Sequence, residues 1–258
     1  YPPRAIIKDV KQAVKDGAKE VWITSQDNAA YNSDGFKLPQ LLDKICKIEG
    51  DFFVRVGMMN PLYTKEILDG LIEVYNNEKI FKFLHLPLQS DSNRLLQLMD
   101  RGYKVEDFTE IIEKFRKEIP QLTLSTDVIV GFPTESNDEF NITYKLLEKM
   151  EFDIVNISKF GARPGTQASK MKQLDVKTVN ERSVKLHKLV KKIQLDINRK
   201  WIGWNGKALV DEKGTDNSFI CRNFAYKPVV LKEKIDLGKF FDVEIVDATS
   251  NFLIGKRR

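Results

Sequence analysis

Three stretches concentrate polar side chains of the kind that do chemistry: HLPLQSDSN (85–93), LSTDVIVGFPTES (124–136) and FGARPGT (160–166). Asp127 sits inside an otherwise apolar, β-branched run, where a carboxylate is costly unless it is hydrogen-bonded or paired. Gly131, Phe132 and Pro133 end that run abruptly, and Thr134 and Glu135 read as a helix start. Similar polar endings follow other strand-like runs: Thr24, Ser25, Gln26 and Asp27; Gly57, Asn60 and Pro61; His85, Gln89, Ser90 and Ser92; Arg163, Gly165 and Thr166. Taken singly, each has an ordinary structural reading, such as a turn, a helix cap or a satisfied core histidine. Taken together, five polar strand ends point to one shared site for a polar ligand. No Gly-rich phosphate loop and no Ser-His-Asp elbow is present.

The elements that position these residues alternate. Strand-like runs begin near Lys19, Phe52, Ile80, Leu122 and Asp153. Helix-like segments lie between them. One places Ile6, Val10 and Val14 on a stripe, with Pro3 in its first turn and Gly17 as its stop. Another, TKEILDGLIEVY, aligns Ile67, Leu71 and Val74, and a third aligns Phe108, Ile111, Ile112 and Phe115. Such alternation predicts parallel strands joined by crossover helices, whose ligands bind at the carboxyl ends of the strands. The chain opens on a helix, so a preceding strand is expected upstream. Beyond Gly165 a long helix is predicted, with Val184, Leu186, Leu189, Ile193 and Ile197 inward and Lys185, Lys188 and Lys192 outward. After Trp201, five short strand-like runs predict a small antiparallel barrel, a shape that suits oligonucleotide binding and is shared by small barrels that bind peptide.

Of the 258 residues, 42% are hydrophobic and 31% charged, which suits one large domain or a large and a small one. No apolar run is long enough to span a membrane, and no secretory signal opens the sequence, so a cytoplasmic location and no membrane partner are expected. The net charge of +5 is uneven. Residues 1–164 carry −4, residues 165–204 carry +7 and residues 205–258 carry +2. The basic segment predicts a polyanion partner or a solvated helix face. Cys46 and Cys221 lack any second ligand at metal spacing, and two histidines are too few to make a site, so no metal ligands are assigned. Cys46 shares an apolar face with Leu42 and Ile45 and reads as a buried free thiol.

The motifs HLPLQSDSNRLLQLMDRGY (85–103), STDVIVGFPTES (125–136) and ARPGTQASKM (162–171) resemble those of the radical S-adenosylmethionine methylthiotransferases. The last 55 or so residues resemble the TRAM domain that ends those enzymes. The resemblance runs in order along the whole chain. It implies a partial (β/α)6 radical-SAM barrel lacking its first strand over residues 1–200, followed by a TRAM β-barrel over 201–258. EVWITSQDNAAY, VRVGMMNP and IFKFLHLP are similar to the archaeal and eukaryotic branch. That branch converts N6-threonylcarbamoyladenosine at tRNA position 37 to its 2-methylthio form. Related branches act on isopentenyladenosine tRNA or on a ribosomal protein. A non-catalytic RNA-binding relative and an unrelated α/β-barrel enzyme are the remaining alternatives.

The resemblance also implies cofactors: S-adenosylmethionine and two [4Fe-4S] clusters in the full-length protein, one bound by a Cys-x3-Cys-x2-Cys loop. Neither set of cluster cysteines occurs in this sequence, so the family loop is expected upstream and the fragment alone is expected to be inactive. The implied chemistry starts with cluster reduction of S-adenosylmethionine to a 5′-deoxyadenosyl radical, which calls for an electron donor. No catalytic residue is assigned. By motif, Gln26 and Asp27 would meet the cofactor amino group, and Gln89 and Ser90 its carboxylate. Arg101, Asp127 and Arg163 would contact cofactor or substrate, and backbone around Gly131 would flank the adenine. Lys185, Lys188, Lys192, Lys207, Arg222 and Lys227 are candidate tRNA phosphate contacts, with Phe224 or Tyr226 available for stacking. The sequence departs from the family pattern at Asp91, Ala162, Thr134 and Ser136, and Asp91 bears on the carboxylate contact.

Overall fold

The computed structural model describes residues 1–258. In chain order the first part holds α1 (Pro3–Lys15), β1 (Glu20–Ile23), β2 (Asn32–Ser33), β3 (Phe36–Lys37), α2 (Leu38–Cys46), β4 (Phe53–Val56), α3 (Pro61–Glu66), α4 (Leu68–Tyr75), β5 (Phe83–His85), α5 (Asn93–Leu98), α6 (Val105–Glu118), β6 (Thr123–Val130), α7 (Asn137–Met150) and β7 (Ile154–Lys159). Then come α8 (Gln167–Lys170), α9 (Val176–Arg199), β8 (Asn205–Lys213), β9 (Phe219–Asn223), β10 (Pro228–Leu231), β11 (Phe240–Ala248) and β12 (Leu253–Arg257). All five anticipated parallel strands are present.

β1 pairs in parallel with β4, and β5, β6 and β7 form a parallel three-strand sheet. A single parallel bridge between Val54 and Ile80 joins the two sets. Strand alternation then sorts the side chains. Val54, Val56, Leu84, Leu124, Val128 and Val130 enter the core under the helices. Arg55, Phe83, His85, Thr123 and Ser125 lie on the opposite, concave face and line a lumen, with Asp127 further along the same face of β6.

Two helix expectations change. TKEILDGLIEVY is not one helix: Ile67, at φ −117°, separates α3 from α4. The break puts both Ile67 and Leu68 in the core. In α9 the buried stripe is Leu186, Leu189, Val190 and Ile193, while Val184 is 55% exposed. At 3.6 residues per turn Val184 falls on another face from that stripe.

β8 to β12 close a barrel in the order β10-β12-β11-β8-β9. The expected all-antiparallel barrel is corrected at one seam, because β10 and β12 run parallel. Five strands cannot close with every neighbour antiparallel, since an odd ring leaves one parallel pair. The result is a Greek-key barrel of the oligonucleotide-binding type. This barrel plugs the amino-terminal end of the parallel sheet. Tyr226, at φ +61°, packs on Phe81 and Phe83 with ring centroids 4.8 and 5.2 Å apart. Lys82 N–H donates to the Phe224 carbonyl at 2.8 Å.

Candidate active site

The lumen has a layered floor and mouth. Strand register sets Phe83 beside Thr123, His85 beside Ser125, and Asp127 beside Asn156. His85 Nε2 lies 3.1 Å from both oxygens of Asp127, and Asn156 Nδ2 donates to Oδ1 at 2.7 Å. Burial alone would push the Asp127 carboxyl up. The hydrogen bonds from His85 and Asn156, with the charge of Arg101, outweigh it and hold the group below its ordinary value. Asp127 is therefore an ionised acceptor. His85 is tied to it rather than being a satisfied core residue, with Nε2 as the hydrogen-bearing ring nitrogen.

Gln89 extends the mouth. Its backbone N–H donates to the Asp127 carbonyl at 2.7 Å, and its own carbonyl accepts from Ile129 at 3.0 Å. The residue holds φ +69°, a left-handed conformation that non-glycine residues rarely adopt. The next residue, Ser90, is buried, and its hydroxyl has no partner. Arg101 Nε is likewise buried and unpartnered. Each is a buried donor left free to bond a ligand or a water molecule.

The other anticipated cofactor residues have more ordinary surroundings. Asp27 Oδ1 accepts from the backbone N–H of Ala29 and Asn60, at 3.0 and 3.1 Å, and so ties the loop after β1 to the loop after β4. Gln26 and Arg163 are exposed. Gly131 is buried at φ +77°, and its N–H is taken by Glu135 Oε2 at 3.0 Å. An added Cβ there would lie 2.5 Å from Val179 Cγ2, so the packing of α9 already requires a glycine.

The anticipated RNA contacts divide. Lys188, Lys192 and Lys207 are exposed, and Lys185 stands over the Tyr144 ring at 4.7 Å. Lys227 is corrected: it is 5% exposed and its Nζ is bonded to Asp153 at 2.6 Å and to Asn198 at 2.8 Å. Arg222 is held by Asp211 and Glu212 and stacks on Tyr226. Tyr226 is itself 8% exposed and is not free to stack on a base. Two lumen residues, Arg55 and Asn156, went unmarked in the sequence. The alternation of Phe53 and Arg55 against Val54 and Val56, and the placing of Asn156 between Val155 and Ile157, are the signals that put them on the face opposite the core.

A parallel α/β sheet with a polar lumen and unsatisfied donors at its carboxyl end belongs to the class of folds that bind polar ligands at their strand ends. The Radical SAM superfamily model matches residues 1–147, and the chain belongs to that superfamily. It is 44% identical over 257 residues to the probable threonylcarbamoyladenosine tRNA methylthiotransferase of Pyrococcus horikoshii, covering 99% of this chain and 60% of that protein. The human threonylcarbamoyladenosine tRNA methylthiotransferase is 34% identical over 261 residues, covering 99% of this chain and 45% of that protein. The chain thus spans 60% or less of the length of these relatives. Coproporphyrinogen III oxidase from Escherichia coli, a radical SAM enzyme, shares the fold with a TM-score of 0.55 at 12% identity, over 99% of this chain and 65% of that one. No helix is long and apolar enough to cross a membrane.

Proposed function

We propose that the protein carrying this chain is a radical S-adenosylmethionine tRNA methylthiotransferase. It adds a methylthio group to C2 of N6-threonylcarbamoyladenosine at tRNA position 37. The observation that carries this reading is the end-to-end match to relatives of that name, through the lumen and the second barrel alike. Residues 1–200 serve as the cofactor barrel. Residues 201–258 serve as a TRAM module that holds RNA through the exposed Lys207, together with the exposed Lys188 and Lys192 of α9, in a cytoplasmic setting with an electron donor.

The lumen mouth suits the amino-acid end of S-adenosylmethionine, since the unpartnered Ser90 hydroxyl and Arg101 Nε supply donors beside the ionised Asp127. Gln89 and Ser90 would hold the carboxylate. No three His, Cys, Asp or Glu side chains of this chain come together to hold a metal ion, so an iron–sulfur cluster has no ligand set here. When bound, the cofactor supplies the one-electron chemistry that activates the adenine C2–H bond. The residues of this chain would bind and orient the cofactor and the reacting base. Asp127 fixes the His85 ring, and the core strands hold both in register.

Nucleoside mass spectrometry of tRNA from a strain lacking the gene tests the reading. Loss of the 2-methylthio form with build-up of N6-threonylcarbamoyladenosine is expected, reversed by the intact gene and not by an Asp127→Ala version. Unchanged tRNA would refute it. Loss of methylthio-isopentenyladenosine instead would move the assignment to the other tRNA branch.

A further inference from the structure

We propose that the cavity at the floor of the lumen receives the carboxylate of the substrate's threonylcarbamoyl arm, with Arg55 as the specificity-determining contact. This rests on the function proposed above and names the part of the chain that reads the modification.

The cavity holds about 400 Å³ and is walled by the parallel sheet, α9 and the second barrel. Most of its lining residues are polar, among them Arg55, Thr123, Ser125, Asn156 and Asn198, with Tyr226 beside them. His85 and Asn156 also line it, so the cavity lies directly beneath the Asp127 cluster. Three cations face it, and two are already neutralised. Arg222 is paired with Asp211, and Lys227 with Asp153.

Arg55 differs. Its guanidinium stands over the rings of Trp22, Phe83 and Tyr226, with its central carbon 4.9, 4.9 and 5.2 Å from their centroids. Its Nε is buried and has no partner. Aromatic rings cover the faces of a guanidinium and leave its edge, a rigid fork of donors matched to a carboxylate. Thr123 supplies a second unused group. It is 2% exposed, and its hydroxyl has no partner. It projects from the floor level set by its register with Phe83.

The depth suits the ligand. Asp127 and Thr123 are four residues apart on one strand face, or about 13 Å at the usual strand rise. From adenine C2 across N6 to the threonyl carboxylate is at most about 10 Å, in the fully extended arm, by ordinary bond lengths. An adenine held with C2 a few ångströms inside the mouth therefore brings its carboxylate within reach of the Arg55 side chain. The threonyl hydroxyl and carbamoyl group then meet the hydroxyls and amides of the wall. An isopentenyl arm offers none of these groups and would leave the guanidinium unpaired, which is how a polar site rejects an apolar analogue.

The test measures equilibrium binding to the full-length protein. The probes are anticodon stem-loop oligonucleotides bearing threonylcarbamoyl-, isopentenyl- or unmodified adenosine. Wild type is expected to bind the threonylcarbamoyl form about 10- to 100-fold tighter than the unmodified one, the worth of a charged hydrogen-bonded contact. Arg55→Met should bring that ratio near one, and Arg55→Lys should restore only part of it. Thr123→Val, nearly isosteric, should lower the ratio several-fold and guards against a folding defect in the arginine variants. A wild-type ratio preserved in Arg55→Met and Thr123→Val would overturn the inference while leaving the function standing. Preference of wild type for the isopentenyl form, or for neither, would overturn both. Inorganic phosphate competing equally against modified and unmodified oligonucleotides would show a general anion site and would also overturn the inference.

Discussion

Lys227 of the second barrel and Asp153 at the foot of β7 form a buried ion pair, Nζ to Oδ1 2.6 Å, with their side chains 6% and 8% exposed. Asp153 Oδ2 also accepts the Leu124 N–H at 2.8 Å, and Lys227 Nζ also donates to Asn198 of α9 at 2.8 Å. One lysine thus joins the second barrel, the long helix and the parallel sheet at a single buried point.

Removing one member of a buried pair leaves the other charged and unsolvated, which costs about 3–5 kcal/mol. Lys227→Met is therefore expected to destabilise the chain by about 3 kcal/mol in urea denaturation. Adding Asp153→Asn should recover part of that loss, because no uncompensated carboxylate then remains. If Lys227→Met unfolded like wild type, or the double variant were less stable than both singles, the pair would not be the junction described.

The same lysine shows where sequence reading ends. The five parallel strands and the barrel strands were legible because alternation and turn residues are local. The fate of Lys227 depends on Asp153, distant in sequence, so local composition marks it only as one more basic residue. Tyr226 looked available for stacking for the same reason, since its cover comes from Phe81 and Phe83. Asp127 was legible as a costly carboxylate, but its partners His85 and Asn156 lie on two other strands. Arg55 was readable in principle. The alternation of Phe53 and Arg55 against Val54 and Val56 assigns it to the lumen, but its aromatic cage needs the fold.

Gly131 is fixed by Val179 as much as by its own backbone. A side chain at φ +77° is strained, and a Cβ would meet Val179 Cγ2 at 2.5 Å. Gly131→Ala should cost about 3 kcal/mol from strain and overpacking combined. Val179→Ala in the same chain should return the overpacking part and leave about 1 kcal/mol of backbone strain. Thermal or urea unfolding of the four chains checks this. No recovery in the double variant would mean that α9 does not press on the turn.

Asp91 carries a pH signature. Burial, helped by the charge of Glu106, pushes its carboxyl from 3.8 up to about 6. Its backbone N–H donates to Thr143 Oγ1 at 3.0 Å. A carboxyl raised in the folded state favours folding fully only below its unfolded value, and that contribution disappears as pH rises through the folded value. Asp91→Asn removes the cost of ionising there. Since the group is partly solvated, the variant should be more stable by about 1 kcal/mol at pH 8, with the gain fading towards pH 4. Urea titrations across that range measure it. A gain independent of pH would point to packing instead.

Glu135 and Arg182 connect the turn after β6 to α9. Their side chains are 3% and 8% exposed, with Arg182 Nη1 2.5 Å from Glu135 Oε2. The same carboxylate oxygen accepts the Gly131 N–H, and Arg182 Nη2 donates to Asn137 Oδ1 at 2.7 Å. The arginine also stands over the Phe140 ring at 5.3 Å. The helix bearing Lys188 and Lys192 is therefore clamped to the turn at the carboxyl end of β6. Arg182→Met should destabilise by about 3 kcal/mol through the carboxylate it strands. Hydrogen exchange should speed at the Gly131 amide before it speeds in β6, because that amide depends on Glu135 staying in place. Arg182→Lys keeps the charge but loses the fork that reaches Asn137 and the Glu135 carbonyl, so it should fall between the two. Unchanged exchange at Gly131 in Arg182→Met would show that the turn is held by its own backbone and not by the long helix.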